Sequence, residues 1–431
     1  MSPTIGLLVL LVLFLAGLPV TYALGFAALV IMQLSTGMKW MTIGQQMIAG
    51  LNSFTILTVP LFLLAGNLMN KCGVTTRLFR FARVMVGWLP GGLGHVNVVA
   101  SFIFAGMSGT AIADASGLGL LEIKAMDEAK YDHDFSCAVS GASSTLGPII
   151  PPSMPMVVYG TISGTSIGAL FIAGVFPGII MALLMMGLVL YLALTRKYPK
   201  DQFPTGREFR QGVKGGILPC LAPVIILLGI YTGLFTPTES AAVVVVYAAI
   251  LGLFVYREIN LRDLAEIIKQ TIGDAIGICI LIAAATLFGN VLVKAMIPQS
   301  VLKFIMAGIP SKTVFLIVLN AALLVVGMFM ETVSSITILT PIILPVALSF
   351  GVNPVHLGLI IVLNLMIGVL SPPFGVVLFA INRVGQISMA RLIKALLPWY
   401  ALLLAALVII TFVPQVVTWL PGTMGLGGIG K

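Results

Sequence analysis

Gly147-Pro-Ile-Ile-Pro-Pro-Ser-Met-Pro155 and Gly368-Val-Leu-Ser-Pro-Pro-Phe-Gly375 stand 221 residues apart and share a Gly followed at equal spacing by Pro-Pro. Proline offers no backbone donor, and its ring clashes with the preceding turn. A helix running through either stretch must break. Each break frees carbonyl oxygens at the end of one half-helix and amides at the start of the next.

The correspondence continues outward. At the same shift Gly164 meets Gly385, Ala169 meets Ala390, Pro177 meets Pro398 and Gly106-Met107 meets Gly327-Met328. At a shift of 223, Gly66-Asn-Leu-Met-Asn-Lys71 meets Gly289-Asn-Val-Leu-Val-Lys294. Ordered Pro-Pro and Gly-Asn-x-x-x-Lys matches point to an internal repeat.

The solvent for these halves is lipid. Hydrophobic residues make up 59% of the 431-residue chain and charged residues 9%, with mean hydropathy +1.14. A soluble domain carries about 25% charged residues. Apolar runs of about 20 residues then read as spanning helices. The net charge of +9 sits in short loops, as the positive-inside rule expects, so no nucleic-acid partner is expected. Cys72, Cys137, Cys220 and Cys279, like His95, His133 and His356, are scattered, which argues against a disulfide framework or a zinc site. Gly425 to Lys431 mimics a phosphate loop but has no Ser/Thr and no helix after it. No ATP-driven pump is expected.

Spans are predicted near 5–34, 53–70, 168–195, 215–234, 238–256, 272–296 and 396–420, with broken spans at 135–165 and 354–383. The stretches 93–129 and 312–350 each read as helix, polar centre, helix. Their centres are Gly106-Met-Ser-Gly-Thr110 and Met330-Glu-Thr-Val-Ser-Ser335. For 93–129 the alternatives are a re-entrant hairpin, or one span followed by a surface helix; the acids Asp114, Glu122, Asp127 and Glu128 favour the hairpin. Interfacial helices are predicted at 75–90 and 259–269. The domains are then a first helix and connector (1–52), a first repeat (53–199), a connecting unit (200–271), a second repeat (272–420) and a tail (421–431).

The loop 196–214 carries six cations against Asp201 and Glu208, which places it, Lys71 to Arg83 and Arg383 to Lys394 in the cytoplasm, with the tail outside. Lys39, Lys303 and Lys312 fall outside. Five crossings separate the two Gly-Asn helices, an odd number, so the halves are inverted. The expected fold is an all-α polytopic membrane protein of two inverted repeats with re-entrant hairpins and broken helices. Such repeats point to a secondary transporter with its site near the midplane.

Carbonyl groups at a break suit Na⁺, and half-helix N-termini suit an anion. The tips add the hydroxyls of Ser108, Thr110, Thr332, Ser334 and Ser335. Two breaks facing two tips would make two ion sites flanking one substrate site. Glu331 reads as a cation ligand or proton acceptor, or as a solvated turn residue. Asp114 reads as a group that caps or pairs within its hairpin. Asp274 and Glu239 are placed near helix starts and given no role.

The chain resembles the large membrane subunit, DctM-like, of the tripartite ATP-independent periplasmic (TRAP) transporters. The resemblance is carried by Phe104-Ala-Gly-Met-Ser-Gly-Thr-Ala-Ile-Ala-Asp-Ala-Ser-Gly117, Gly147-Pro-Ile-Ile-Pro-Pro-Ser153, Met330-Glu-Thr332 with Pro341, Ser371-Pro-Pro-Phe-Gly375 and Gly17-Leu-Pro-Val-Thr-Tyr-Ala-Leu-Gly25. It implies an elevator-type transporter in the cell inner membrane, working in lipid with a small membrane subunit (DctQ-like) and an extracytoplasmic substrate-binding protein. It implies Na⁺-driven import of a small organic acid of the C4-dicarboxylate or sialic acid class. It places two Na⁺ sites around Ser108, Gly109, Gly147 and Pro151, and around Glu331, Thr332, Gly368 and Ser371. Thr110, Ser153, Ser334 and Phe374 are the candidate substrate contacts. A stand-alone divalent-anion/Na⁺ symporter is the competing expectation. No residue constellation offers an enzyme's reaction centre.

Overall fold

Both Pro-Pro stretches interrupt a helix, and the interruptions sit at matching places in two halves. The computed structural model describes residues 8–10, 12–13, 16–36, 39–297, 299–300, 308 and 311–426. The described elements are all helical. Among them, eight helices are long and apolar enough to cross a membrane. Lys303 and most of the Gly425–Lys431 stretch lie outside the described residues.

The first half runs α1 (Val20–Ile31), α2 (Met41–Leu51), α3 (Thr58–Lys71) and α4 (Val74–Val86). A hairpin follows: α5 (Gly92–Ser108), one turn Ala111–Ala113, a π-segment Asp114–Leu118 and α6 (Gly119–Glu128). The broken helix is α7 (His133–Ser143) and α8 (Met154–Ser163), and α9 (Ile167–Arg196) is unbroken. After the connecting helices α10 (Gly206–Tyr231) and α11 (Pro237–Ile250) comes α12 (Leu261–Lys294). The second hairpin is α13 (Lys312–Phe329) and α14 (Thr332–Ser349). The second broken helix is α15 (Pro354–Leu370) and α16 (Val376–Gly385), followed by α17 (Met389–Phe412) and α18 (Gln415–Thr423).

Four boundaries differ from the sequence expectation. The first span, expected over 5–34, is interrupted at 16–19, where Gly17 takes φ +79° and Pro19 precedes α1. The segments 259–269 and 272–296 are one helix, α12, about 50 Å long at 1.5 Å per residue. No Pro interrupts it, and Asn260 with Asp263 forms a capping box that starts it in the charged segment. The basic loop ends earlier than 214, because the Thr205–Glu208 capping box begins α10 there. The final span starts at Met389 and ends at Phe412, before Pro414; α18 is separate. The helix α2 is an element with no sequence counterpart in the predicted spans.

The halves are inverted. The helices α3 and α12 pack together. Asn67, late in α3, donates to Thr271, early in α12, at 3.0 Å. Gly50, before α3, lies against Thr286, late in α12. Numbers rise along one helix as they fall along the other, so the two Gly-Asn helices run antiparallel.

The basic loops gather at one end. Arg77 pairs with Glu258 at 2.6 Å, Arg83 with Asp201 at 2.7 Å, Arg196 with Asp132 at 3.2 Å and Arg391 with Asp134 at 2.5 Å. The first hairpin has its base at this end, where His133 meets Asp127 at 2.8 Å. The base of the second hairpin, closed by Lys312 Nζ donating to Gly351 O at 2.8 Å, is at the other.

Candidate functional site

Each hairpin tip meets the break of its own half. At the first tip Gly109 adopts φ +61°, the left-handed region that glycine tolerates. Its carbonyl accepts from the Met154 amide at 3.3 Å. A Cβ on Gly109 would fall 2.6 Å from the Pro152 carbonyl oxygen, so this close approach needs glycine. A Cβ on Gly147 would lie 3.1 Å from the Thr110 carbonyl. Ser108, Gly109 and Thr110 therefore face the break 147–154, with Pro151-Pro152 a cis bond within it.

At the second tip Phe374 N donates to Met328 O at 3.2 Å. Gly327 and Gly368 touch backbone to backbone, since a Cβ on Gly368 would fall 2.5 Å from Gly327 Cα. Ser371 Oγ donates to Ile367 O at 2.7 Å and keeps its own acceptor lone pairs.

The second arms of the two hairpins begin alike. Thr110 caps the first by accepting from Ala113 N at 3.4 Å. Glu331 caps the second by accepting from Ser334 N at 3.0 Å. Each second arm then packs on the far half-helix of the opposite repeat: α14 on α8, and the π-segment with α6 on α16. The halves interlock around the tips.

Between the tips lies a cavity of about 800 Å³. Thr110, Ile112 and Ala113 line it from one tip, and Glu331, Thr332 and Ser334 from the other. The breaks add Pro148, Met154, Val369 and Val376. The helices α3 and α12 close it with Asn67, Asn70, Gln270 and Asp274. Its ionisable lining groups are Asp274 and Glu331; among the described residues no Lys, Arg or His lines it. Two carboxylates without a basic partner favour cations.

Of the predicted site residues, Thr110, Glu331, Thr332 and Ser334 line the cavity. Ser108, Gly109, Gly147 and Pro151 form the contact behind the first tip, and Gly368 and Ser371 that behind the second. Ser153 is buried and engaged, donating to Pro148 O and accepting from Met156 N at 3.3 Å. Phe374 is 59% exposed and lies beside Phe329 rather than on the cavity wall. The Ser108 hydroxyl oxygen is buried without a hydrogen-bond partner among the described residues. An oxygen so placed fits an ion that takes oxygen ligands.

One acid departs from the sequence reading. Asp274 is in the interior of α12 and on the cavity wall, not at a helix start. Asp114 does not cap, since Thr110 does; its buried carboxyl lies within its own hairpin beside Ser101 of α5 and Glu122 of α6, the pairing alternative. The Ser101 hydroxyl is directed to Ser143 at 2.9 Å. Glu239 is in its expected place, forming a capping box with Thr236.

Residues 7–416 match the family described as tripartite ATP-independent periplasmic transporter, DctM component. The chain is 41% identical over 411 residues to the sialic acid TRAP transporter large permease protein SiaM of Vibrio cholerae, covering 95% of this chain and 96% of that protein. It is 39% identical over 373 residues to the C4-dicarboxylate TRAP transporter large permease protein DctM of Pseudomonas aeruginosa, covering 86% and 87%. Among solved structures, the Alcanivorax borkumensis YdaH transporter shares the fold, with TM-score 0.62 at 18% identity over 89% of this chain and 88% of that one.

Proposed function

Because this chain belongs to the DctM component family of the tripartite ATP-independent periplasmic transporters, a family of multi-pass membrane transporters and not of enzymes, we propose that it translocates a small organic acid across the cell inner membrane, driven by Na⁺. The observation that carries this reading is the cavity at which two inverted tip-and-break units meet. The names of the relatives, sialic acid in one and C4-dicarboxylate in another, suggest a carboxylate as cargo.

A carboxylate would not enter a cavity walled by Asp274 and Glu331 without added positive charge. Na⁺ at the tips supplies that charge. Behind the first tip, Ser108 Oγ with the Gly109 and Pro152 carbonyls offers an oxygen donor set. At the second, Glu331, Thr332 and Ser371 offer another. Ion binding would thus precede, and permit, binding of the organic anion. The interlocked hairpins would move past the antiparallel pair α3–α12 as a body, the elevator movement that the fold suggests.

The family is tripartite, so the partners of this chain are a small membrane subunit and an extracytoplasmic substrate-binding protein. The experiment is radiolabelled uptake into proteoliposomes, with and without Na⁺ and both partners, across a panel of organic acids. Accumulation should require all three components. Accumulation by the chain alone would favour the stand-alone divalent-anion symporter instead.

A further inference from the structure

A second cavity, about 870 Å³ in volume, opens beside the first. It lies between α4 and the base of the first hairpin, at the ion-paired end of the molecule. Asn70 and Gly117 line both cavities, so one wall separates them. The charge reverses across that wall. Among the described residues, the first cavity has two carboxylates and no cation, and the second has Lys71, Arg80, Arg83 and Lys124 against Glu128.

The cations of α4 divide by task. Arg77 is held by Glu258 and stacks 3.9 Å over the Tyr256 ring. Arg83 is held by both oxygens of Asp201, at 2.7 and 3.0 Å. Arg80 lies between them in sequence, is exposed, and lines the cavity. Lys71, Arg80 and Lys124 are in none of the ion pairs among the described residues. Thr75 and Thr76 line the cavity in the first turn of α4. The N-terminus of α4 is already met by an acid, since Glu258 Oε2 lies against the place where a Cβ on Gly73 would stand. Three cations outside those ion pairs, set around one cavity, favour a negative group here.

We propose that this cleft is a second anion site, an exit vestibule that takes the carboxylate of the cargo as it leaves the central cavity past Asn70 and Gly117. This rests on the reading of the protein as a carboxylate transporter. The vestibule gives the departing anion a counter-charge on the far side of a wall that carries acids on the near side. It also lets anion already accumulated in the cytoplasm rebind and slow further import.

The first test needs no transport. In a chain whose four cysteines are replaced by alanine, Thr76→Cys is labelled in detergent with anionic and neutral thiol reagents. The anionic reagent should react several-fold faster relative to the neutral one than at an exposed site elsewhere, and succinate should slow it. The triple change Lys71→Gln, Arg80→Gln, Lys124→Gln should remove both effects. Equal rates for the two reagents, or no protection by succinate, would overturn the site.

The second test uses proteoliposomes with both partners and the imported acid loaded in the lumen. The lumenal concentration that halves uptake should rise about tenfold in the triple variant, the change expected for about 1.4 kcal/mol of lost binding. The Na⁺ dependence set at the tips should stay in place. Wild-type uptake indifferent to lumenal anion, or a triple variant with unchanged inhibition, overturns the vestibule while leaving the transport reading intact. A defect confined to vesicles containing phosphatidylglycerol assigns the cations to lipid headgroups and also overturns it. Absence of wild-type uptake counts against the transport reading, and the labelling result then decides the site.

Discussion

Thr110 and Glu331 occupy the same position in the two halves: each is the N-cap of the second hairpin arm, accepting the amide three residues on, at 3.4 Å from Ala113 and 3.0 Å from Ser334. The repeat is conserved in its geometry but not in its chemistry. One cap is a neutral hydroxyl and the other a carboxylate that also lines the cavity. The second half therefore brings a charge to the site that the first does not.

Substitutions at Glu331 separate its two tasks. Glu331→Gln keeps an oxygen for Ser334 N and removes the charge; Glu331→Ala removes both. The Ala variant should lose about 1 kcal/mol of stability through the cap, read as a lower melting temperature in detergent. Both should raise the Na⁺ concentration for half-maximal uptake, by roughly tenfold if one ligand worth about 1.4 kcal/mol is lost. An unchanged Na⁺ dependence in Glu331→Gln would mean that the carboxylate only caps.

Ser108 makes the opposite test. Its buried hydroxyl has no partner among the described residues, so Ser108→Ala removes a desolvation cost of about 1–3 kcal/mol along with the group. Without Na⁺ the variant should melt no lower than wild type. With Na⁺ it should gain less stability, and uptake should need more Na⁺. A variant that is destabilised equally in both conditions would show a packing role for the hydroxyl instead.

Much of this was legible from the residues. Pro151-Pro152 and Pro372-Pro373 announce their breaks because proline acts on the backbone locally. The alignment of Gly106-Met107 with Gly327-Met328 located both tips. Asp274 was not legible, since its place depends on 259–269 and 272–296 being one helix, and a capping box such as Asn260 with Asp263 marks where a helix starts but not how far it runs. The Ser108 hydroxyl, without a hydrogen-bond partner among the described residues, reflects a tertiary property that no local pattern carries. Ser153 illustrates the converse: a hydroxyl at the right address is engaged by its own turn, with Pro148 and Met156.

The contact between Gly327 and Gly368 should tolerate no side chain. A Cβ on Gly368 would come within 2.5 Å of backbone atoms, which cannot rotate away. Gly368→Ala should cost on the order of 1–3 kcal/mol and lower the melting temperature. Gly187→Ala, where a Cβ meets nothing within 4 Å, is the control. Equal melting of the two variants would mean that the second tip does not rest on its break.

The gathered ion pairs predict sidedness. Gln202, in the loop between α9 and α10, should be cytoplasmic, and Lys39 periplasmic. Cysteine placed at each position in a cysteine-free chain should react with a membrane-impermeant reagent from opposite sides. Labelling of position 202 from the periplasm would invert the molecule and turn the basic vestibule into an entrance.

The wall charge of Asp274 gives the last prediction. Asp274 is exposed to the central cavity, where the other ionisable group is Glu331. It is in none of the ion pairs among the described residues. If its charge draws Na⁺ toward the tips without ligating it, Asp274→Asn should raise the half-saturating Na⁺ concentration by about threefold, or ~0.7 kcal/mol. An interaction through open solvent is screened by salt, with a Debye length near 10 Å at about 0.1 M and 3 Å at about 1 M. Choline chloride, added at fixed Na⁺, should therefore shrink the gap between variant and wild type. The Glu331→Gln gap should persist, because a direct ligand is screened much less. A gap for Asp274→Asn that ignores choline chloride would make Asp274 a ligand in its own right. No gap at low salt would leave its charge without a role in ion capture.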